Sequence, residues 1–137
     1  MSYLLDTNAC IALINGSPAS VRSRFQKALR GGRKIYISSV ATFELWYGSA
    51  KSTRVALNAQ RLETFLAGPV TVLAFEDEDS RAAGSIRDEL ELSGKPMGAY
   101  DVLIAGQALA RQLTLVTANV SEFSRVKGLL SQDWAKP

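Results

Sequence analysis

The sequence predicts an α/β fold, a three-layer α/β/α sandwich around a mainly parallel sheet of four to five strands. Three observations carry this expectation. Short apolar and β-branched runs alternate with helical stretches along the chain, and strands separated by helices need crossover connections, which build parallel sheets. The length of 137 residues matches one domain, against roughly 100–200 residues per domain, and no repeat, low-complexity tract or linker divides residues 1–137. A hydrophobic fraction of 47% fits a globule with its own core.

Each element has a local cause. Residues 3–5, Tyr-Leu-Leu, form a short strand stopped by Asp6-Thr7-Asn8, and a helix over 9–14 breaks at Asn15-Gly16. Ser17 as N-cap and Pro18 at the first helical position open a helix that runs to Arg30 and stops at Gly31-Gly32. Its apolar face is Val21, Phe25, Ala28 and Leu29. Residues 34–40 are β-branched and aromatic, hence a second strand. Residues 42–50 and 54–67 read as helices, the latter ended by Gly68-Pro69. A third strand covers 70–75. The acidic run Glu76-Asp77-Glu78-Asp79 suits the positive end of a helix reaching about Leu92. Residues 93–96 turn, 100–111 form an apolar helix, and 113–117 a fourth strand. The tail from Glu122 is mixed, with Trp134 packing back on the body.

Composition excludes much chemistry. The chain has no histidine and one cysteine, Cys10, so Ser-His-Asp and Cys-His catalysis and His/Cys zinc sites are ruled out. No disulfide framework is possible, which points to a reducing cytoplasm. No run is long and apolar enough for a membrane span, and the first residues lack the basic region of a signal peptide. The net charge of +3 leans mildly toward a polyanionic partner. Acid–base or metal chemistry must use carboxylates, which prefer hard cations such as Mg²⁺ or Mn²⁺.

Most of the 13 acidic residues keep charged company and read as solvated surface: Glu63, Glu76 to Asp79, Asp88, Glu89, Glu91 and Asp133. Three do not. Asp6, Glu44 and Asp101 are each the only charge in a locally apolar run, and an unpaired buried carboxylate costs several kcal/mol. Taken singly, Asp6 reads as a helix cap, Glu44 as the partner of a buried arginine, and Asp101 as a first-turn dipole residue. Taken together they converge. Asp6 ends the first strand, Glu44 lies a turn past the second, Asp101 opens the helix before the fourth, and Asn119 and Glu122 follow that strand. Strand carboxyl ends of a parallel sheet share one crevice. Clustered carboxylates repel unless a cation binds, and a hard divalent ion there can activate water and polarise a phosphodiester.

The segments Leu4-Leu5-Asp6-Thr7-Asn8, Ser38-Ser39-Val40 with Glu44-Leu45 and Gly48, Gly98-Ala99-Tyr100-Asp101 with Ile104-Ala105, and Leu115-Val116-Thr117-Ala118-Asn119 with Glu122-Phe123 resemble, in order, a PIN-domain ribonuclease of the VapC toxin type. The resemblance covers residue 3 to Trp134 and implies a single PIN domain over 1–137. It implies a cytoplasmic Mg²⁺-dependent endoribonuclease, Mn²⁺ substituting, that cuts structured RNA (tRNA or rRNA) and inhibits translation. It further implies a homodimer that forms a larger complex with a VapB-type antitoxin, touching operator DNA only through that antitoxin, and no membrane. Asp6 and Asp101 match the family's metal-binding aspartates and Glu44 its third acidic position, with Thr7 and Asn8 supporting. Asn119 stands where the family often has Asp, and Glu122 is the other candidate to complete the site.

Other classes are weighed on the same residues. A receiver-type phospho-acceptor domain wants an acidic pair after its first strand and a lysine after its last, and both are missing. A haloacid-dehalogenase-type phosphatase wants Asp-x-Asp where Asp6-Thr7-Asn8 stands. A catalytically degenerate PIN-like module binding RNA or protein is the remaining alternative. Arg22, Arg24, Lys27, Arg30, Arg33 and Lys34 are candidate phosphate contacts or a solvated helix face. Trp46, Tyr47, Leu57, Leu62, Phe65 and Leu66 offer an apolar surface for a partner.

Overall fold

The structure, a computed structural model, describes residues 1–136. Its elements in order are β1 (Ser2–Leu5), α1 (Thr7–Asn15), α2 (Ala19–Arg30), β2 (Lys34–Ser38), α3 (Ser39–Ala50), α4 (Val55–Leu66), β3 (Thr71–Leu73), α5 (Asp77–Leu92), α6 (Ala99–Ala110), β4 (Thr114–Val116), α7 (Val120–Phe123) and β5 (Ser131–Gln132). The five strands form one all-parallel sheet in the order β3-β2-β1-β4-β5. The chain moves outward from β1 to β2 to β3, then crosses back past β1 to β4. With right-handed crossovers that reversal puts α1–α4 on one face and α5 and α6 on the other, which is the expected α/β/α sandwich. Leu4 and Leu5 of the central strand are fully buried, as are Ile37, Leu115 and Ile104.

The reversal also creates a crevice at the carboxyl edge of the sheet. Leu5 pairs with Ile37 on one side and Val116 on the other, so Asp6 and Thr117 leave the sheet side by side. The Asp6 amide donates to the Val116 carbonyl at 3.1 Å, extending the ladder one step beyond the strands. This is the switch point at which open parallel sheets hold ligands.

Several boundaries differ from expectation. Helix α1 begins at Thr7, because the Asp6 side chain accepts the Ala9 amide as N-cap; Thr7 and Asn8 are its first turn. It ends at Gly16, whose φ of 71° is the left-handed conformation a side chain resists. Helix α2 begins at Ala19 with Pro18 at the N-cap, and Ser17 makes no cap bond. β2 stops at Ser38, whose hydroxyl takes the Val40 amide and starts α3 directly. β3 is only three residues, an exposed edge strand paired on one side. β5 and the single turn α7 emerge from the tail read as mixed; both are too short to show periodicity. Trp134 does pack back, 2% exposed and edge-on to Tyr3 at 5.1 Å.

The main correction concerns Asp79. Read as surface, it is fully buried. Its Oδ2 accepts the Glu76 amide, closing a capping box at the start of α5, and its carboxylate pairs with Arg111 at 3.1 Å. The Gln107 carboxamide donates to it as well. Burial pushes its pKa up, but Arg111, the Glu76 amide and Gln107 outweigh that and hold the carboxyl below its ordinary range. The same two helices meet at Gly106, where a Cβ would lie 2.6 Å from Ala83. Among the described residues, no helix is long and apolar enough to cross a membrane.

Candidate active site

Each singled-out carboxylate reaches the carboxyl edge of the sheet from a different element. Asp6, 6% exposed, hangs from the end of β1 and caps α1 through Oδ1 at 2.7 Å from the Ala9 amide. Burial raises its pKa, the Thr117 hydroxyl and Ala9 amide pull it down, and the charges of Glu44 and Asp133 push it up again. Glu44, half-buried on α3, has no arginine partner among the described residues; its Oε1 accepts the Thr7 hydroxyl at 2.6 Å. Thr7 therefore ties α1 to α3 and fixes Glu44 beside Asp6.

Asp101 sits in the first turn of α6, where the helix dipole favours the carboxylate. Its pKa is nevertheless raised to about 6, through burial and the charges of Glu122, Glu44 and Asp6. Burial and repulsion together outweigh the dipole. Asn119 and Glu122 are joined: the Asn119 carboxamide donates to Glu122 at 2.5 Å. Arg125 also approaches Glu122, at 3.7 Å. Asn8 is exposed on the first turn of α1. Glu122, Glu44 and Asp6 thus all lie near enough to Asp101, at the switch point, for their charges to raise its pKa.

Three contributors escaped the sequence reading. Thr117, buried beside Asp6, also takes the Asn119 amide at 2.9 Å, which positions the loop after β4. Asp133, read as surface, is half-buried and adds its charge to Asp6; only the parallel pairing of the two-residue β5 brings it near. Arg125 was legible as the i+3 partner of Glu122. The basic residues of the α2 region lie elsewhere: Arg22 donates to the Leu13 carbonyl, Arg24 to that of Lys136, and Lys27 and Arg33 line a cavity with Tyr3, Gln132 and Trp134. Of the apolar set, Trp46, Tyr47 and Leu57 are exposed, whereas Leu62 is core at 3% and Phe65 and Leu66 pack against the core.

The donor set tests whether a metal fits. It is all oxygen, it is mutually repelling, and Asp101 has no hydrogen-bonding or ionic partner among the described residues. Those traits suit a hard cation. Among the described residues, no three Asp, Glu or Cys side chains stand where they could hold a metal ion together. Mg²⁺ does not need three, since it takes one or two carboxylates and keeps several waters.

The strain on Asp101 has a measurable consequence. Its folded pKa lies above the unfolded value of 3.8, so between about pH 4 and 6 the native state binds more protons than the unfolded state, and Asp101's contribution to stability falls as pH rises. Thermal melts in chelator should show this slope flattened in Asp101→Asn. Added Mg²⁺ at neutral pH should raise the melting temperature of the wild type and not of the variant.

The comparisons with known proteins agree with the fold. A family model described as "PIN domain" matches residues 3–129, and the chain belongs to the PIN-domain family, whose nucleases are generally metal-dependent. Within that family it is of the VapC type. It is 43% identical over 135 residues to the tRNA(fMet)-specific endonuclease VapC of Shigella flexneri, covering 98% of this chain and 99% of the relative. The structure of VapBC2 from Rickettsia felis bound to a promoter DNA fragment superposes with a TM-score of 0.91 at 36% identity, covering 98% and 99% of the two chains. DNA-bound VapBC from Salmonella typhimurium gives 0.88 at 39% identity, covering 98% of each.

Proposed function

We propose that this chain is the endoribonuclease toxin of a VapBC-type pair, hydrolysing structured RNA with Mg²⁺, or Mn²⁺ in its place, and so stopping translation. The observation that carries the reading is the convergence of Asp6, Glu44, Asp101 and Glu122 at the β1/β4 switch point. Asp6 and Asp101 would hold the ion, with Glu44 as third carboxylate. A cation held there supplies a water of lowered pKa and polarises the phosphodiester.

The remaining roles belong to the chain's own residues. Ala9 and Thr117 aim Asp6, Thr7 aims Glu44, and Asn119 with Arg125 holds Glu122 at the edge of the cluster. Transfer RNA is the first substrate to test, because the Shigella relative is named for tRNA(fMet); ribosomal RNA is the second. For the antitoxin, the groove between α1, α3 and α4 is the best seat. Ile11, Ile14, Leu45 and Leu62 give it apolar walls and Glu44 stands on its rim. An amphipathic helix can fill such a groove while a basic residue reaches the carboxylates. A homodimer of the toxin and contact with operator DNA through the antitoxin complete the proposal.

The test is cleavage of tRNA by chelator-treated protein. Activity should return with Mg²⁺ or Mn²⁺ and not with Zn²⁺ alone, since no His or second Cys is available. Undiminished cleavage in excess chelator would refute the mechanism.

A further inference from the structure

We propose that the cavity between α3 and the start of α6, walled by Phe43, Tyr47 and Tyr100 with Lys51 at its rim, binds one unstacked nucleotide of the RNA next to the scissile phosphate. The proposal rests on the ribonuclease reading above and adds the residues that hold an unpaired base of the substrate. The cavity is about 460 Å³ and also touches Thr7 and Glu44, so whatever fills it adjoins the carboxylate cluster. That volume lies within the roughly 300–1,000 Å³ of small-ligand sites.

Its walls are ring surface left open to water. Phe43 is 53% exposed, Tyr47 57% and Tyr100 46%. Phe43 and Tyr100 meet edge-to-face at 5.7 Å, which joins α3 to α6 and makes a corner. Phe43, Tyr47 and Lys51 follow one another at i, i+4 and i+8, so they form one stripe along α3. The Lys51 ammonium lies 4.8 Å over the Tyr47 ring and has no carboxylate partner among the described residues. Such a ring-and-cation pocket matches a nucleotide: bases stack on aromatic faces whatever their sequence, and the cation meets the phosphate. A purely apolar peptide would leave Lys51 without an anion, and the peptide-shaped groove already lies beside α1 and α4.

The discriminating experiment measures binding by the full chain in chelator, where no RNA is cut, by fluorescence anisotropy. The probes are tRNA(fMet), which has unpaired bases, and a perfectly paired RNA duplex of equal length. Tyr47→Leu and Tyr100→Leu keep apolar bulk at exposed positions, and unchanged melting temperatures establish that they fold. Each should weaken tRNA binding about 10- to 100-fold while leaving duplex binding unchanged, as expected for the loss of a base stack. Lys51→Gln should weaken tRNA binding more than duplex binding and lower the salt dependence of tRNA binding by about one phosphate contact. Wild-type affinity for tRNA in both tyrosine variants would overturn the proposal, as would equal losses on tRNA and duplex. So would loss of self-association with RNA affinity intact, which would make this face a protein interface. If tyrosine-dependent binding is seen but no metal supports cleavage, the pocket stands and the nuclease reading falls.

Discussion

Replacing Asp6 with Asn is expected to abolish RNA cleavage while leaving the metal-free protein as stable as the wild type or slightly more so. Asn keeps the shape and the acceptor oxygen that takes the Ala9 amide at 2.7 Å, and Asn caps a helix about as well as Asp. What it removes is the charge. In the folded protein that charge is penalised first by burial and further by Glu44 and Asp133, so its removal relieves the metal-free state. The same charge is what a cation needs. A bound metal contributes several kcal/mol to the transition state of phosphodiester hydrolysis, and about 4 kcal/mol corresponds to roughly a thousandfold in rate. Steady-state cleavage of tRNA alongside thermal melts separates the two effects. A variant that melts like the wild type and cuts at the wild-type rate would remove Asp6 from the chemistry.

Asp79→Ala should have the opposite profile. This carboxylate is fully buried, with Arg111, Gln107 and the Glu76 amide around it, and it lies outside the cluster that perturbs Asp101. Its removal takes away the ion pair to Arg111 (24% exposed, and also held by Glu76 and Glu78), the α5 cap and the acceptor for Gln107, at a cost of about 3–5 kcal/mol in all. For a chain of this size that lowers the melting temperature by about 10–20 °C. The loss should be the same with and without Mg²⁺. Because the folded pKa is depressed, Asp79 stabilises the wild type above its unfolded value and loses that contribution as pH falls through the folded value; Asp79→Ala should therefore lose less stability than the wild type on acidification. Denaturation across pH checks both statements, and a melting temperature within a degree or two of wild type would contradict them.

The contrast between Asp6 and Asp79 shows what the sequence discloses and what it hides. Asp6, Glu44 and Asp101 were visible because each stands alone among apolar neighbours, where a charge needs a reason. Asp79 was hidden by its setting: it ends an acidic run that belongs on a surface, and its partner Arg111 lies 32 positions further on. The alternation of strands and helices discloses a parallel sheet but leaves its strand order open. It does not disclose β5, whose two residues carry no pattern, or the approach of Asp133 to Asp6. Leu62 illustrates the same limit for surfaces. Its apolar side chain fits an interface or a core equally well, and only the packing of α4 against α3 makes it core. Phe43 and Tyr100 are further examples. Both sit beside singled-out acids, yet their meeting depends on α3 and α6 converging above the sheet edge.

The central claim is that Asp6 and Asp101 hold a hard divalent cation that RNA hydrolysis requires. The most direct measurement is Mn²⁺ titration of chelator-treated protein by electron paramagnetic resonance, on the wild type, Asp6→Asn and Asp101→Asn, with tRNA cleavage followed at each metal concentration. The wild type should take up Mn²⁺ in step with the appearance of cleavage, and both variants should lose uptake and cleavage together while remaining folded. Unchanged Mn²⁺ uptake in both folded variants, or wild-type cleavage before any metal is bound, would contradict the account.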